Sequence, residues 1–144
     1  MSERGQRGKP TEKLVEDVLK RFNASANFAY FRLPDSRSAR SFIKANPADF
    51  LYRCGEYAGF IEAKATEHAY RLPTSKVSQI QTLHKFALAG SDDLVIVHHT
   101  VENVWRCVAV KHLPLGVPSW DLREFDTYGS AEEALRSSFW FDGV

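Results

Sequence analysis

Apolar residues at Leu14, Val15, Val18, Leu19 and Phe22 recur at helical spacing and predict a first amphipathic helix, ended by Asn23 and Ser25. Its start is placed at Pro10, because a proline suits the first helical position, where its missing N–H has no partner to lose. The aromatic run 28–33 predicts a strand, and the segment 34–41 (PDSRSARS) a turn and loop rich in Arg and Ser. Residues 49–53 and 58–65 predict two further strands joined through 54–57, with Gly55 in a tight hairpin turn. A polar stretch over 66–76 then leads into a second helix at 75–89. There Val77, Ile80, Leu83, His84 and Ala87 share one side, and Gly90 provides the stop. The continuous apolar run 94–98 predicts a strand covered on both faces, and 104–110 its antiparallel partner after a turn near Glu102 and Asn103. A short helix near 131–136, closed by Phe139, Trp140 and Phe141, completes the chain. The elements together predict a mixed α/β fold of about five strands flanked by helices. We expect a single domain over 1–144, with its core at about 10–112 and a C-terminal cap over 113–144.

Composition agrees with a packed domain: 44% of the 144 residues are hydrophobic and 26% charged, which excludes disordered and collagen-like classes. No apolar run approaches the ~20 residues needed to span a bilayer, and the polar N-terminus lacks the apolar centre of a signal peptide. A cytoplasmic location without membrane contact is expected. Cys54 and Cys107 lie in strand-like stretches without ligand-like spacing, so reduced core thiols are expected and a structural zinc is not. The net charge is only +1, but it is unevenly spread. Residues 1–44 carry ten Lys/Arg against five Asp/Glu, 45–116 carry seven against seven, and 117–144 two against six. Taken alone, such blocks are commonly solvated surface.

The chemistry concentrates in the hairpin. Period-two alternation puts Phe60, Glu62 and Lys64 on one face of their strand and Ile61, Ala63 and Ala65 on the other. A turn on Gly55 and Glu56 pairs Cys54 with Tyr57 and Arg53 with Ala58, and carried onward it brings Asp49 opposite Glu62. Two facing carboxylates at roughly 5 Å between Cβ atoms repel one another. A hard divalent cation, Mg²⁺ or Mn²⁺, is the natural compensator, with its remaining positions left to water and substrate phosphate. The same spacing also suits a plain surface ion pair of Glu62 with Lys64, with Asp49 capping a turn after Pro47. His98 and His99, adjacent on a strand, point to opposite faces and cannot grip one ion together. No G-x-S-x-G, Walker loop or H-E-x-x-H occurs, which removes covalent hydrolase, nucleotidase and zincin chemistry.

Pro47-Ala48-Asp49 followed by Glu62-Ala63-Lys64 resembles the D…ExK signature of the PD-(D/E)xK nuclease superfamily. Within it, residues 7–110 resemble the RecU-type Holliday junction resolvases, including small phage members. The likeness is carried by Arg7 and Gly8 followed by Glu12, by the tract 57–64 (YAGFIEAK), and by the segment from Leu72 and Pro73 to Gln79 and Ile80. The acidic tail lies outside it.

The resemblance implies a restriction-endonuclease-like core, phosphodiester hydrolysis with Mg²⁺ or Mn²⁺, a homodimer, and four-way DNA junctions as substrate in recombination and repair. It implies Asp49, Glu62 and a first-helix acid as metal ligands, Lys64 as a catalytic cation, and a polar side chain, Gln79, on the second helix. For the first-helix acid the sequence offers Glu12 and Glu16. At 100° per residue Glu12 falls beside Leu19 at the margin of the apolar stripe, while Glu16 turns further toward solvent, so Glu12 is preferred. Candidate DNA contacts are Arg4, Arg7, Lys9 and Lys13 around the first helix, Arg37, Arg40 and Lys44 in the loop before Asp49, and Arg71 and Lys76 after the catalytic strand. Catalytic motifs report chemistry rather than substrate shape. Two alternatives therefore stay open: a nuclease of the same superfamily that cuts flaps, single strands or specific sites, and a catalytically silent DNA-binding module of the same fold.

Overall fold

The computed structural model describes residues 3–34 and 46–139, and side chains from residue 10 onward. Helix α1 (Glu3–Phe22) is followed by β1 (Phe28–Arg32), β2 (Phe50–Cys54), β3 (Tyr57–Thr66) and β4 (Arg71–Pro73). A 3-10 turn (Thr74–Lys76), α2 (Ile80–Leu88), β5 (Leu94–His99) and β6 (Val104–Ala109) come next. A second 3-10 turn (Val110–His112), β7 (Ser119–Asp121) and α3 (Ala131–Ser138) complete the order.

Five strands form one mixed sheet in the order β1-β2-β3-β5-β6. β3 and β5 run parallel, as a crossover through α2 requires, and the other neighbours are antiparallel. Alternation decides the layers. Phe28, Phe50, Tyr52, Cys54, Ile61, Ala63 and Ile96 face α1 and α3, where they pack with Val15, Leu19, Phe22, Leu135 and Phe139. Val95, Val97 and Val108 face the other way and pack with Ile80 and Leu83 of α2 and with Leu72 and Trp120. The inner strands are thus covered on both faces, which is why 94–97 is an unbroken apolar run. Among the described residues no helix is long and apolar enough to cross a membrane.

The hairpin register is the predicted one: Cys54 pairs with Tyr57, Arg53 with Ala58 and Phe50 with Ile61. Gly55 supplies the positive φ (59°) that this turn demands. A second close fit lies at Gly59. A Cβ there would come 2.4 Å from the carbonyl oxygen of Asp92, because the segment entering β5 lies directly against β3.

The elements differ from expectation in three places. Helix α1 begins at Glu3 and carries Pro10 inside it rather than at its first turn. The apolar stripe starts only at Leu14, so hydrophobic periodicity carries no sign of the turns before it. The second helix is broken: Thr74–Lys76 form a 3-10 turn and α2 starts at Ile80, because Val77 (φ −104°, ψ 78°) leaves the helical path. The stretch 66–76, expected as polar loop, contains β4, which pairs with β7 through Leu72 opposite Trp120. At three residues each, these strands are too short to show alternation. Arg37, Arg40 and Lys44 lie outside the described residues, as do Trp140, Phe141 and the side chains of Arg4, Arg7 and Lys9.

Candidate active site

Asp49 immediately precedes β2 and is fixed from two directions. Its carboxylate accepts the backbone N–H of Ala63 at 2.9 Å, and its carbonyl accepts the N–H of Leu33 at 2.9 Å. Because the ladder ends at Phe50 opposite Ile61, the next position along β3, Glu62, stands beside Asp49, and the two side chains share a hydrogen bond. Lys64, two residues further along the strand, brings its Nζ to 3.7 Å from Glu62 Oε2. The structure therefore places Asp49, Glu62 and Lys64 together at the C-terminal half of β3.

Glu62 is only 6% exposed. Burial, then the hydrogen bond and charge of Asp49, hold its carboxyl well above the usual carboxylate range, against the opposing pull of Lys64. Glu12, on α1, is likewise raised, by burial first and then by the charge of Asp49, with Arg32 and Lys64 opposing. Its carboxylate, however, is held by Arg32 at 3.0 Å rather than by the acid pair.

A cleft of about 750 Å³ opens beside Lys64, lined in part by Glu12, Thr66, Ser75, Lys76 and Thr100. Lys76 donates to the carbonyl of Ala65 at 3.0 Å, which fixes a second ammonium next to Lys64 along β3. Gln79 stands outside this lining, as the residue that precedes α2 rather than one within it. Arg71 is exposed on β4, whose Pro73 lines the cleft, and donates to Ser119 Oγ at 3.3 Å.

Two side chains of this region escaped the sequence pattern. Arg32 ends β1 and reaches Glu12 and Glu16 at once. Glu16, expected to turn further toward solvent, has a side chain less exposed than that of Glu12 (19% against 26%), because Tyr30 and Arg32 of β1 cover it. Neither residue falls in a motif. The only available signal was that two aromatic-strand positions, 30 and 32, share a face.

The donor set suits a hard divalent cation in kind. Glu12, Glu16, Asp49 and Glu62 all offer carboxylate oxygens, the donors such an ion prefers. Asp49 opposes the ionisation of Glu62, and a doubly charged ion between the two would remove that opposition. Among the described residues no three His, Cys, Asp or Glu side chains already form a metal cage. The arrangement thus fits an ion held by two carboxylates, with water and phosphate completing its shell.

No protein-family model matches the chain, and no curated protein sequence does. Among solved structures, the fold is similar to that of Hjc, a Holliday junction resolvase from the archaeal hyperthermophile Archaeoglobus fulgidus. The TM-score is 0.52 at 20% identity, over 88% of this chain and 99% of that chain. The likeness establishes the fold: a mixed five-stranded sheet with flanking helices, of the restriction-endonuclease-like kind.

Proposed function

We propose that the chain is a divalent-metal-dependent, structure-selective DNA endonuclease that resolves four-way junctions, with the RecU-type motif order. The observation that carries this is the contact of Asp49 with Glu62, beside Lys64, on a fold similar to that of a junction resolvase. A bound Mg²⁺ or Mn²⁺ ion would supply charge cancellation at the phosphate and a more acidic attacking water. Asp49 and Glu62 would hold that ion, and the Ala63 N–H fixes the orientation of the Asp49 carboxylate. Glu12 lies within the field of both Asp49 and Lys64 and would offer a third carboxylate if it were released from Arg32. Lys64 positions the attacking water and offsets charge on the pentacovalent transition state, a role that needs an ammonium next to the acids but not buried among them. Gln79, at the residue before α2, would offer an amide to the attacking water or to a phosphate oxygen without adding charge.

Substrate is gripped through its backbone. Lys76 is anchored inside the cleft with its charge unmatched by any ion pair among the described residues, which suits a phosphate next to the scissile one. Arg71, the basic residues of α1 and the Arg37, Arg40 and Lys44 segment extend the contact. A homodimer would present one site to each of two strands, as symmetric cleavage across a junction requires.

Incubation with Mg²⁺ and end-labelled DNAs tests the assignment. A mobile four-way junction should be cut by paired symmetric nicks, with duplex, flap and single strands cut far more slowly. Equal cutting of linear and branched DNA would remove the junction assignment and leave a nuclease of another kind.

A further inference from the structure

Arg32 is gripped on three sides. Its Nη2 donates to Glu12 Oε2 at 3.0 Å and its Nη1 to Glu16 Oε1 at 2.8 Å, two carboxylates one turn apart on α1. The hydroxyl of Tyr30 donates to the other oxygen of Glu16 at 3.1 Å, and the guanidinium lies over the Phe50 ring, 5.5 Å from its centroid. The flat fork of a guanidinium is suited to such a divided grip, where a lysine would serve one carboxylate at a time. β1 is also locked to the acid pair. Arg32 pairs with Phe50 across the sheet, and the next residue, Leu33, donates to the carbonyl of Asp49.

Glu12 consequently has two claimants. On one side is Arg32, held in place by Glu16 and Tyr30; on the other is Lys64, which also attracts its charge, beside Asp49, whose charge repels it unless a cation lies between them. A carboxylate cannot give its best geometry to both.

We propose that Arg32 is a positioning residue: it holds the Glu12 carboxylate off the Asp49–Glu62 pair, so that a divalent cation entering the site competes with it for Glu12. This rests on the nuclease assignment above. Glu16 and Tyr30 make Arg32 a fixed competitor rather than a side chain that follows Glu12 inward. The affinity of the site for its ion is then set from outside the site, at the edge of the sheet.

The test is calorimetric titration of Mg²⁺ or Mn²⁺ into the DNA-free full chain, for the wild type, Arg32→Gln, Glu12→Gln and the double variant. Arg32→Gln should bind the ion about fivefold more tightly, the scale of a half-exposed ion pair released. Glu12→Gln should bind more weakly, and adding Arg32→Gln to it should change nothing further. An unchanged affinity in Arg32→Gln overturns the proposal. So does the same gain in both backgrounds, since that would mean only that a distant positive charge had been removed. If Arg32→Gln melts too early to titrate, Arg32→Lys serves: a smaller gain that again vanishes in the Glu12→Gln background supports the competition, and no gain overturns it. A wild type that takes up no divalent ion removes the nuclease assignment and this inference with it, an outcome distinct from a failed cycle on a protein that binds.

Discussion

Gly59 is the residue on which the placement of β5 against β3 turns. The Asp92 N–H donates to the Ala58 carbonyl at 2.8 Å, the N–H of Phe60 donates to Asp93 at 2.8 Å, and the backbone between leaves no room for a methyl group. Gly59→Ala must push the Asp92 carbonyl away and should lower unfolding stability by roughly 1–3 kcal/mol in a denaturant titration. At this scale the sequence was legible where a residue type is chemically particular. Asp49, Glu62 and Lys64 are brought together by an alternation and a turn that are plain in the chain. Arg32 and Glu16 were not legible, because their contact joins a helix to a strand 16 residues away and neither residue's neighbours announce it.

Among the elements, the hairpin was readable because Gly55 fixes the turn and the turn fixes every pair after it. The β4–β7 ladder was not, since its stability comes from Leu72 and Trp120 in the second core rather than from any local pattern. The loop before β4 is tied to the main sheet through His99 of β5, which is fully buried. Its Nδ1 lies 2.7 Å from the His68 carbonyl, an acceptor only, and its Nε2 lies 2.9 Å from the Arg106 guanidinium, a donor only. The neutral imidazole with its proton on Nδ1 is therefore the form that fits. Burial first, with Arg106 adding to it, lowers the pKa of His99, against the raising effect of the His68 carbonyl. A histidine whose folded pKa lies below its unfolded value of about 6.5 contributes stability above that pH and loses it as pH falls through the folded value. Thermal melts of the wild type and His99→Gln, whose amide can keep both partners, should show the difference: the wild type loses more stability than the variant between neutral pH and pH 5. Parallel pH profiles would contradict the role given to His99.

Over the whole molecule, a near-neutral net charge conceals a basic front and an acidic end, and the front supplies α1 and the segment leading to Asp49. DNA affinity should therefore fall steeply with salt. Lys76→Ala should lower the slope of log K against log salt by about one, since one phosphate fewer is neutralised, and should leave the melting temperature near that of the wild type. An unaltered slope would place Lys76 outside the DNA interface. The central claim, however, concerns the paired acids of the hairpin, and Asp49→Asn addresses it most directly, because it removes one negative charge while keeping the shape that accepts the Ala63 N–H. Cleavage and binding of a four-way junction by this variant, measured side by side in Mg²⁺, should show cutting abolished and binding retained. Cutting at the wild-type rate would contradict the account.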